Sequence, residues 1–530
     1  MNSKIRDTIF FLMVFSLIFN NIPRSAQLSF IGGPISAKLL VYPLVAAFVY
    51  SFWCQYKYKN VFVDIRPFAK YIAAFCGIML LSVVVGVYNF PYYEQILAGP
   101  ASQMARLYKV LAFGQAHGLA VDNSLLIKVW LVGRALKSVL WEVIWWFGSA
   151  YIVYCWYKNE WQQAVELVTQ AILASSIVII LYSVVEVVWL AHSEAAEPFL
   201  RLINPFIHDI EGEGKWWPPL LWPAQLRSVF SEPSYYGIYM AFALPWLWHK
   251  IYQRQDKWYA LVTFLLSFGL ILTRARTTFM LYVGELVLLA LFCLLWTRKK
   301  SSLQALGKVI VISLCAFFVG VGFISQCMDS KLTGGAFTNQ SEDVGVKKLD
   351  NALVTYVESN AGSLANSDAR SNRARYSVME ADLKIGLDHP ILGVGKELRN
   401  AYLPDYFSEK ALQDTEVKMW LSFRERLGIM RSGFPLLGEY TSRFSESGVL
   451  GLGVFFFPII VLLRALYRRL QKAGERLPYI MFAVSFCGSL AAGIGDTLHT
   501  LDCYYLLLGL GYAIAFGSPA KAQKDDKEAA

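Results

Sequence analysis

Arg227 stands just ahead of the segment Phe230-Ser231-Glu232-Pro233-Ser234-Tyr235, and Arg274 and Arg276 share the short turn from Leu272 to Thr278 between two apolar runs. Pro233 suits a first helical turn and Ser231 or Ser234 could cap it, so the segment reads as a helix N-terminus. Such an end favours an anion, and Arg227 beside it adds a full positive charge. Guanidinium groups bind phosphate oxygens bidentately, which fits Arg274 and Arg276 to a phosphate-bearing ligand. The plainer account of the pair is snorkelling to lipid phosphate or an ion pair with Glu232. Arg375 opens a stretch that ends in His389-Pro390-Ile391-Leu392-Gly393-Val394-Gly395. Taken alone that is turn chemistry, in which a histidine is more often a structural hydrogen-bonder than a base. Asp496, His499 and Asp502 form a last titratable group, read as a solvated turn rather than a proton relay. Glu285 falls inside an apolar run and reads as neutral or turned toward the interior, without a catalytic role.

The elements that must position these residues are apolar helices. The chain has 530 residues, 56% of them hydrophobic and 15% aromatic, with a positive mean hydropathy of +0.42, too apolar for a soluble protein of this length. About twelve runs are candidate spans: Ile9–Ile22, Leu39–Cys54, Tyr71–Phe90, Val139–Tyr157, Ile172–Leu190, Tyr236–Trp248, Trp258–Thr273, Thr278–Trp296, Val309–Ile324, Val449–Leu466, Ile480–Ile494 and Tyr504–Phe516. The expected fold is therefore all-α, a polytopic membrane bundle. The net charge of +10 resides in short loops, which points to the anionic cytoplasmic leaflet and away from nucleic acid. With Lys4 and Arg6 before the first run as a signal anchor, alternation puts Lys57, Lys59, Arg66 and Lys70 inside. Lys250, Arg254 and Lys257, then Arg298, Lys299 and Lys300, then Arg464 to Arg476, fall on the same side, as do both termini. The organisation expected is a bundle over 1–326 with an outer loop at 191–234, a large extracytoplasmic loop at 327–445, further spans over 446–516 and a cytoplasmic tail at 517–530.

Within the large loop, 333–372 is rich in Gly, Ser and Asn and reads as a mobile loop. Tyr376, Met379, Leu383 and Leu387 then fall at helical spacing before Pro390, predicting an amphipathic helix lying on the membrane or packed as a lid. The eight cysteines lie in or beside apolar runs and read as small buried hydrophobes. There is no Gly-rich phosphate loop, no zinc-ligand spacing and no Asp-X-Asp pair, so a cytoplasmic nucleotide-sugar site is not expected, nor is a metal or other cofactor.

Four segments together resemble the bacterial O-antigen ligase and oligosaccharide repeat-unit polymerase superfamily, membrane enzymes of the glycosyltransferase C type. They are Arg227 with Phe230-Ser231-Glu232-Pro233-Ser234; Arg276-Thr277; Arg375 with His389-Pro390-Ile391-Leu392-Gly393-Val394-Gly395; and Glu446-Ser447-Gly448-Val449-Leu450-Gly451-Leu452. The resemblance spans roughly the C-terminal three fifths of the chain. It implies a donor glycan on undecaprenyl pyrophosphate, an acceptor sugar hydroxyl, an inner-membrane location with the site facing outward, and a chain-length regulator or flippase as further partners. It also implies catalytic roles for Arg227, Arg276 and Arg375 on the pyrophosphate, with Glu232 as base or as orienter of Arg227, and His389 as reserve base. Arg274, Ser231 and Tyr235 are the substrate-binding candidates. One departure is informative: the ligases carry a His-Asn pair shortly before the Glu-X-Gly segment, and Pro435-Leu436-Leu437-Gly438-Glu439-Tyr440 has no histidine. That shifts the expectation toward a polymerase, with a ligase as the alternative and a lipid-linked glycan transporter as the non-enzymatic one.

Overall fold

The computed structural model describes residues 2–32, 34–59, 61–62, 65–119, 122–210, 218–254, 257–297, 300–328, 349–362 and 370–517. Among these the regular structure is helical, with no strand. Each apolar run falls on a helix. In chain order these are Ser3–Phe15, Val41–Tyr58, Arg66–Tyr88, Asn123–Trp141 running through Glu142–Phe147 into Gly148–Tyr157, Trp161–Leu190 and Pro233–Arg254. Then follow Lys257–Leu272, Arg276–Phe292, Lys300–Phe323, Glu439–Lys472, Leu477–Ala492 and Cys503–Phe516. Among the described residues, five helical stretches are long and apolar enough to cross a membrane by length and composition: Arg66–Tyr88, Trp161–Leu190, Arg276–Thr297, Ser302–Met328 and Glu439–Lys472. Val49, Leu181, Leu295 and Val311 are exposed on the outside of the apolar helices, which is stable only where lipid is the solvent. The chain is a membrane protein.

At one end of the bundle the basic groups find partners: Arg6 meets Glu160 at 2.7 Å, Lys250 meets Glu166 at 2.5 Å, and Arg476 donates to the Trp296 carbonyl at 2.5 Å. The segments bearing Arg227, Arg276 and Arg375 lie at the other end. A second core sits there, apart from the bundle. It joins Phe90, Tyr92, Ile96, Met104 and Leu107 to Ile127 and Leu131 of the Asn123–Trp141 helix and to Val378, Ile385, Leu398, Val417 and Phe434. That 91–138 belongs to this unit is not visible in its residues alone, because its short helices lack a long apolar run.

Several expectations are corrected. The 333–372 stretch lies mostly outside the described residues, but its described part contains a helix, Leu349–Val357, rather than being a loop throughout. The tail beyond 517 also lies outside them. The Tyr376 helix exists, as Arg370–Asp388, but it buries the face made by Ala374, Val378, Ala381 and Ile385. Leu383 and Leu387 point away from the protein at 45 and 69% exposure, while Tyr376 near the helix start meets Arg276, so the apolar stripe faces outward over its second half. Four cysteines are buried, while Cys315 is exposed on its helix and Cys76, Cys327 and Cys487 are half-buried.

What fixes the Arg370–Asp388 helix is a backbone exchange. The Glu439–Lys472 helix breaks at Gly448, where φ is 61° and ψ −162°. The break frees N–H and C=O groups that the 390–395 turn takes up. Val449 N donates to the Pro390 carbonyl at 2.8 Å, Val394 N to Ser445 at 2.9 Å and Gly395 N to Glu446 at 2.9 Å. Ser82 Oγ caps the junction, donating toward the Leu392 and Glu446 carbonyls. A Cβ at Gly448 would stand 2.4 Å from the Ile391 carbonyl, and one at Gly86 would stand 2.0 Å from the Val394 oxygen. The two glycine-rich segments of the sequence resemblance are thus halves of one joint. Gly448→Ala, which meets both a left-handed φ and backbone contact, is expected to cost about 2 kcal/mol or more. A fall in the thermal unfolding midpoint of the detergent-purified protein, larger than that of Gly453→Ala on the open part of the same helix, checks it.

Candidate functional site

The Pro233–Arg254 helix starts at the residue the sequence indicated, Pro233. Ser231, however, is fully buried and bonds Asn20, with Asn20 Nδ2 donating to its hydroxyl at 3.1 Å, while Ser234 Oγ donates to Glu232 Oε2 at 2.9 Å. Glu232 and Tyr235 remain half-buried at the helix mouth. The Arg276–Phe292 helix packs beside it: Gly237 has no room for a Cβ because Thr278 lies against it, and Thr278 Oγ1 reaches the Pro233 carbonyl at 3.5 Å. That contact brings Arg276, at the helix start, beside the Glu232 helix.

The Arg370–Asp388 helix closes the patch from above. Arg375 Nη1 donates to the Gly495 carbonyl at 3.0 Å, and the Tyr235 hydroxyl is acted on by Asp496, Glu232 and Arg375 together. Arg276 faces Tyr376, the next residue on that helix. Arg375, Glu232, Tyr235 and Asp496 therefore form one half-buried patch drawn from three segments, and Arg276 stands beside it across Tyr376. Asp496 accepts from Thr497 N and Thr500 Oγ1, each at 2.7 Å. Burial pushes its carboxyl up to about 6, against the pull of the Thr500 hydroxyl and the Arg375 charge.

Three sequence candidates lie elsewhere. Arg227 is 1% exposed, and its guanidinium donates to the Pro219 and Leu220 carbonyls at 2.9 and 3.0 Å. Its backbone and that of Ser228 donate to the Glu186 carboxylate at 3.3 and 2.6 Å, holding Ser228 at a φ of 56°. Burial lowers its affinity for the proton, with Glu186 opposing. Arg227 thus ties the 218–228 segment to the bundle. His389 follows the far end of the Arg375 helix, about 20 Å along its axis, with its ring edge-on to Tyr402. Arg274, at a φ of 49°, lies near Tyr356, to one side.

The last turn is not solvated as expected. Asp502 is 2% exposed, with Lys38 Nζ at 2.6 Å and Trp146 Nε1 donating at 2.7 Å. His499 stacks on Trp146 at 3.7 Å, and burial pushes its proton affinity well down. Below them Arg443 pairs with Glu439 and, at 2.5 Å, with Glu142, and Lys396 pairs with Glu446 at 2.8 Å. Glu439 in turn accepts from Leu498 N at 3.1 Å, while its own N–H donates to the Gly493 and Asp496 carbonyls. This ionic layer holds the loop that presents Asp496. Its one legible signal was Glu142, a carboxylate inside a predicted span. Among the described residues no three His, Cys, Asp or Glu side chains converge as a metal-ligating set.

Residues 261–418 match the family model described as O-antigen ligase. The match supports the superfamily that the sequence segments resemble, and with it glycosyl transfer of the O-antigen ligase or polymerase type. It contains Arg274, Arg276, Arg375 and His389, whereas Glu232 and Asp496 come from outside it. Comparison with curated proteins finds no match. Because Arg227 satisfies loop carbonyls, Arg227→Ala is expected to cost about 2 kcal/mol or more of fold stability, read as a lowered unfolding midpoint. Arg375→Ala, at a half-buried position with one carbonyl partner, should move that midpoint much less.

Proposed function

We propose that the protein polymerises oligosaccharide repeat units carried on undecaprenyl pyrophosphate, at the outer face of the bacterial inner membrane, with about twelve helices crossing the bilayer. The observation that carries this reading is the meeting of Arg375 with Glu232, Tyr235 and Asp496 at one end of the bundle, with Arg276 beside them at Tyr376. In the reaction an acceptor sugar hydroxyl attacks the anomeric carbon of the donor glycan. The bond from that carbon to the pyrophosphate oxygen breaks, and the hydroxyl proton passes to a carboxylate. The leaving group brings its own activation, so the main demand is charge stabilisation on the departing pyrophosphate. Arg276 and Arg375 supply it, and Arg274 at the side of the patch extends the positive field.

Two carboxylates stand ready for the proton. Glu232 is fixed by Ser234, and Asp496 is poised near neutrality, where a base both accepts and releases protons readily. Asp496 is the better candidate, with Glu232 orienting Arg375 and Tyr235. The preference for polymerase over ligase rests on residues 435–440. The stretch has no histidine, and its one carboxylate, Glu439, is buried against Arg443. Arg227, Ser231 and His389 act in this scheme by holding the outer loops rather than by touching the donor. A ligase would share the donor and move the glycan to a different carrier.

The deciding experiment incubates purified protein in detergent with undecaprenyl-pyrophosphate-linked glycan, without metal or nucleotide, and separates the products on a gel. A ladder of longer lipid-linked products is expected, lost in Arg276→Ala and Arg375→Ala. Glycan appearing only on an added non-lipid acceptor would replace polymerase by ligase, and an unaltered donor with every acceptor would overturn transferase activity. The rate should also depend on pH. With Asp496 as base its carboxylate form is required, so turnover falls as pH drops through about 6 and is level above it. Asp496→Asn should remove that limb and lower turnover about 100-fold or more.

A further inference from the structure

A proline inside a helix has no N–H for the carbonyl four residues earlier, and in a membrane bundle water cannot replace the missing donor. Pro245 lies inside the Pro233–Arg254 helix, so the Ala241 carbonyl loses its helical donor. The adjacent Phe242 carbonyl is met from a neighbouring helix: Ser485 Oγ donates to it at 2.7 Å and in turn accepts from Trp246 Nε1 at 3.2 Å. Facing Ala241 is Glu285. Its side chain is 1% exposed, and neither carboxyl oxygen meets a donor. A Cβ on Gly488 would stand 2.2 Å from Glu285 Oε1 and 3.2 Å from the Ala241 oxygen. Both oxygens therefore crowd one notch, which exists because residue 488 is glycine.

An ionised carboxylate set against an unpaired carbonyl would place two acceptors together in a medium that screens neither. A carboxylic acid in the same place is a donor. We infer that Glu285 is a positioning residue that donates its carboxyl O–H to the Ala241 carbonyl freed by Pro245, tying together two of the helices that carry the transfer site in a notch left by the third. Those helices are Pro233–Arg254, which follows Glu232 and bears Tyr235; Arg276–Phe292, which begins with Arg276; and Leu477–Ala492, which leads to Asp496. The joint lies below the patch, where a small change of helix rotation moves all three groups relative to one another. The positioning role rests on the transfer reaction proposed above, whereas the hydrogen bond itself does not.

The test is a cycle of Glu285→Leu, Glu285→Gln, Pro245→Ala and the double variant Pro245→Ala/Glu285→Leu, read by thermal unfolding and by glycan turnover well below the unfolding midpoint. Glu285→Leu removes the donor, lowering the midpoint and reducing turnover on the order of 10- to 100-fold. Glu285→Gln keeps a donor and stays near the parent in both readouts. Pro245→Ala returns an N–H to the Ala241 carbonyl from within its own helix, so the double variant recovers most of what Glu285→Leu loses. If Glu285→Leu does not fold, folding of the double variant is that recovery. Additive losses in the double variant, or a Glu285→Gln as damaged as Glu285→Leu, overturn the inference. The unfolding cycle needs no substrate, so a chain that leaves the donor unaltered still tests the hydrogen bond.

Discussion

The arrangement of the end of the bundle that holds Arg375 depends on the exchange of backbone hydrogen bonds between the 390–395 turn and the break at Gly448. A helix broken inside a membrane protein leaves donors and acceptors that must be met by protein, and here the partner is a turn that itself ends a helix. The exchange fixes the far end of the Arg370–Asp388 helix, and the Arg375 contact with the Gly495 carbonyl fixes the near end. A helix pinned at both ends lays Ala374, Val378 and Ala381 on the protein and leaves Leu383 and Leu387 outward. The outward stripe is thus a consequence of where the hydrogen bonds are.

A second constraint is the charge that this end buries. Arg443, Glu142, Glu439, Lys38 and Asp502 are each at most 6% exposed, and each is paired. Buried pairs add little net stability, but breaking one leaves an uncompensated charge, so they select one arrangement over its neighbours. The selected arrangement sets Glu439 against the 493–498 backbone and so determines where Asp496 points. Glu142 enters from a π-bulge in the long helical stretch from Asn123 to Tyr157, an irregularity that turns a carboxylate toward Arg443.

Much of this was legible in the sequence. Apolar runs located the helices because bilayer thickness imposes a length, and Pro233 located a helix start because its fixed φ and missing N–H suit that position. Arg276 stood out in the sequence because the charge bias works against arginines in that turn, and Arg375 because of the segment it opens in the family resemblance. Asp496 was placed in a solvated turn because a short polar segment carries no sign of burial until the Arg370–Asp388 helix is laid over it. Arg227 was placed in the wrong environment for a related reason. Its neighbours Pro219 and Leu220 come from a loop whose path no periodicity describes. The unit built on 91–138 was missed because its core forms between segments distant in sequence, each contributing only a few apolar residues.

Arg227 and Arg375 also separate two uses of one side chain. The Arg227 guanidinium gives both terminal nitrogens to carbonyls inside the protein, and bringing a pyrophosphate to them would require breaking both bonds. Among the described residues Arg375 donates to one carbonyl, and it stands half-buried, closer to what a ligand at the patch would need. A cation stabilises a leaving group only to the extent that its field is already oriented and not already satisfied. By that criterion the proposed reaction fits the patch where helices from three parts of the chain end together, and the arginine nearest the Phe-Ser-Glu-Pro-Ser segment instead holds the 218–228 segment in place.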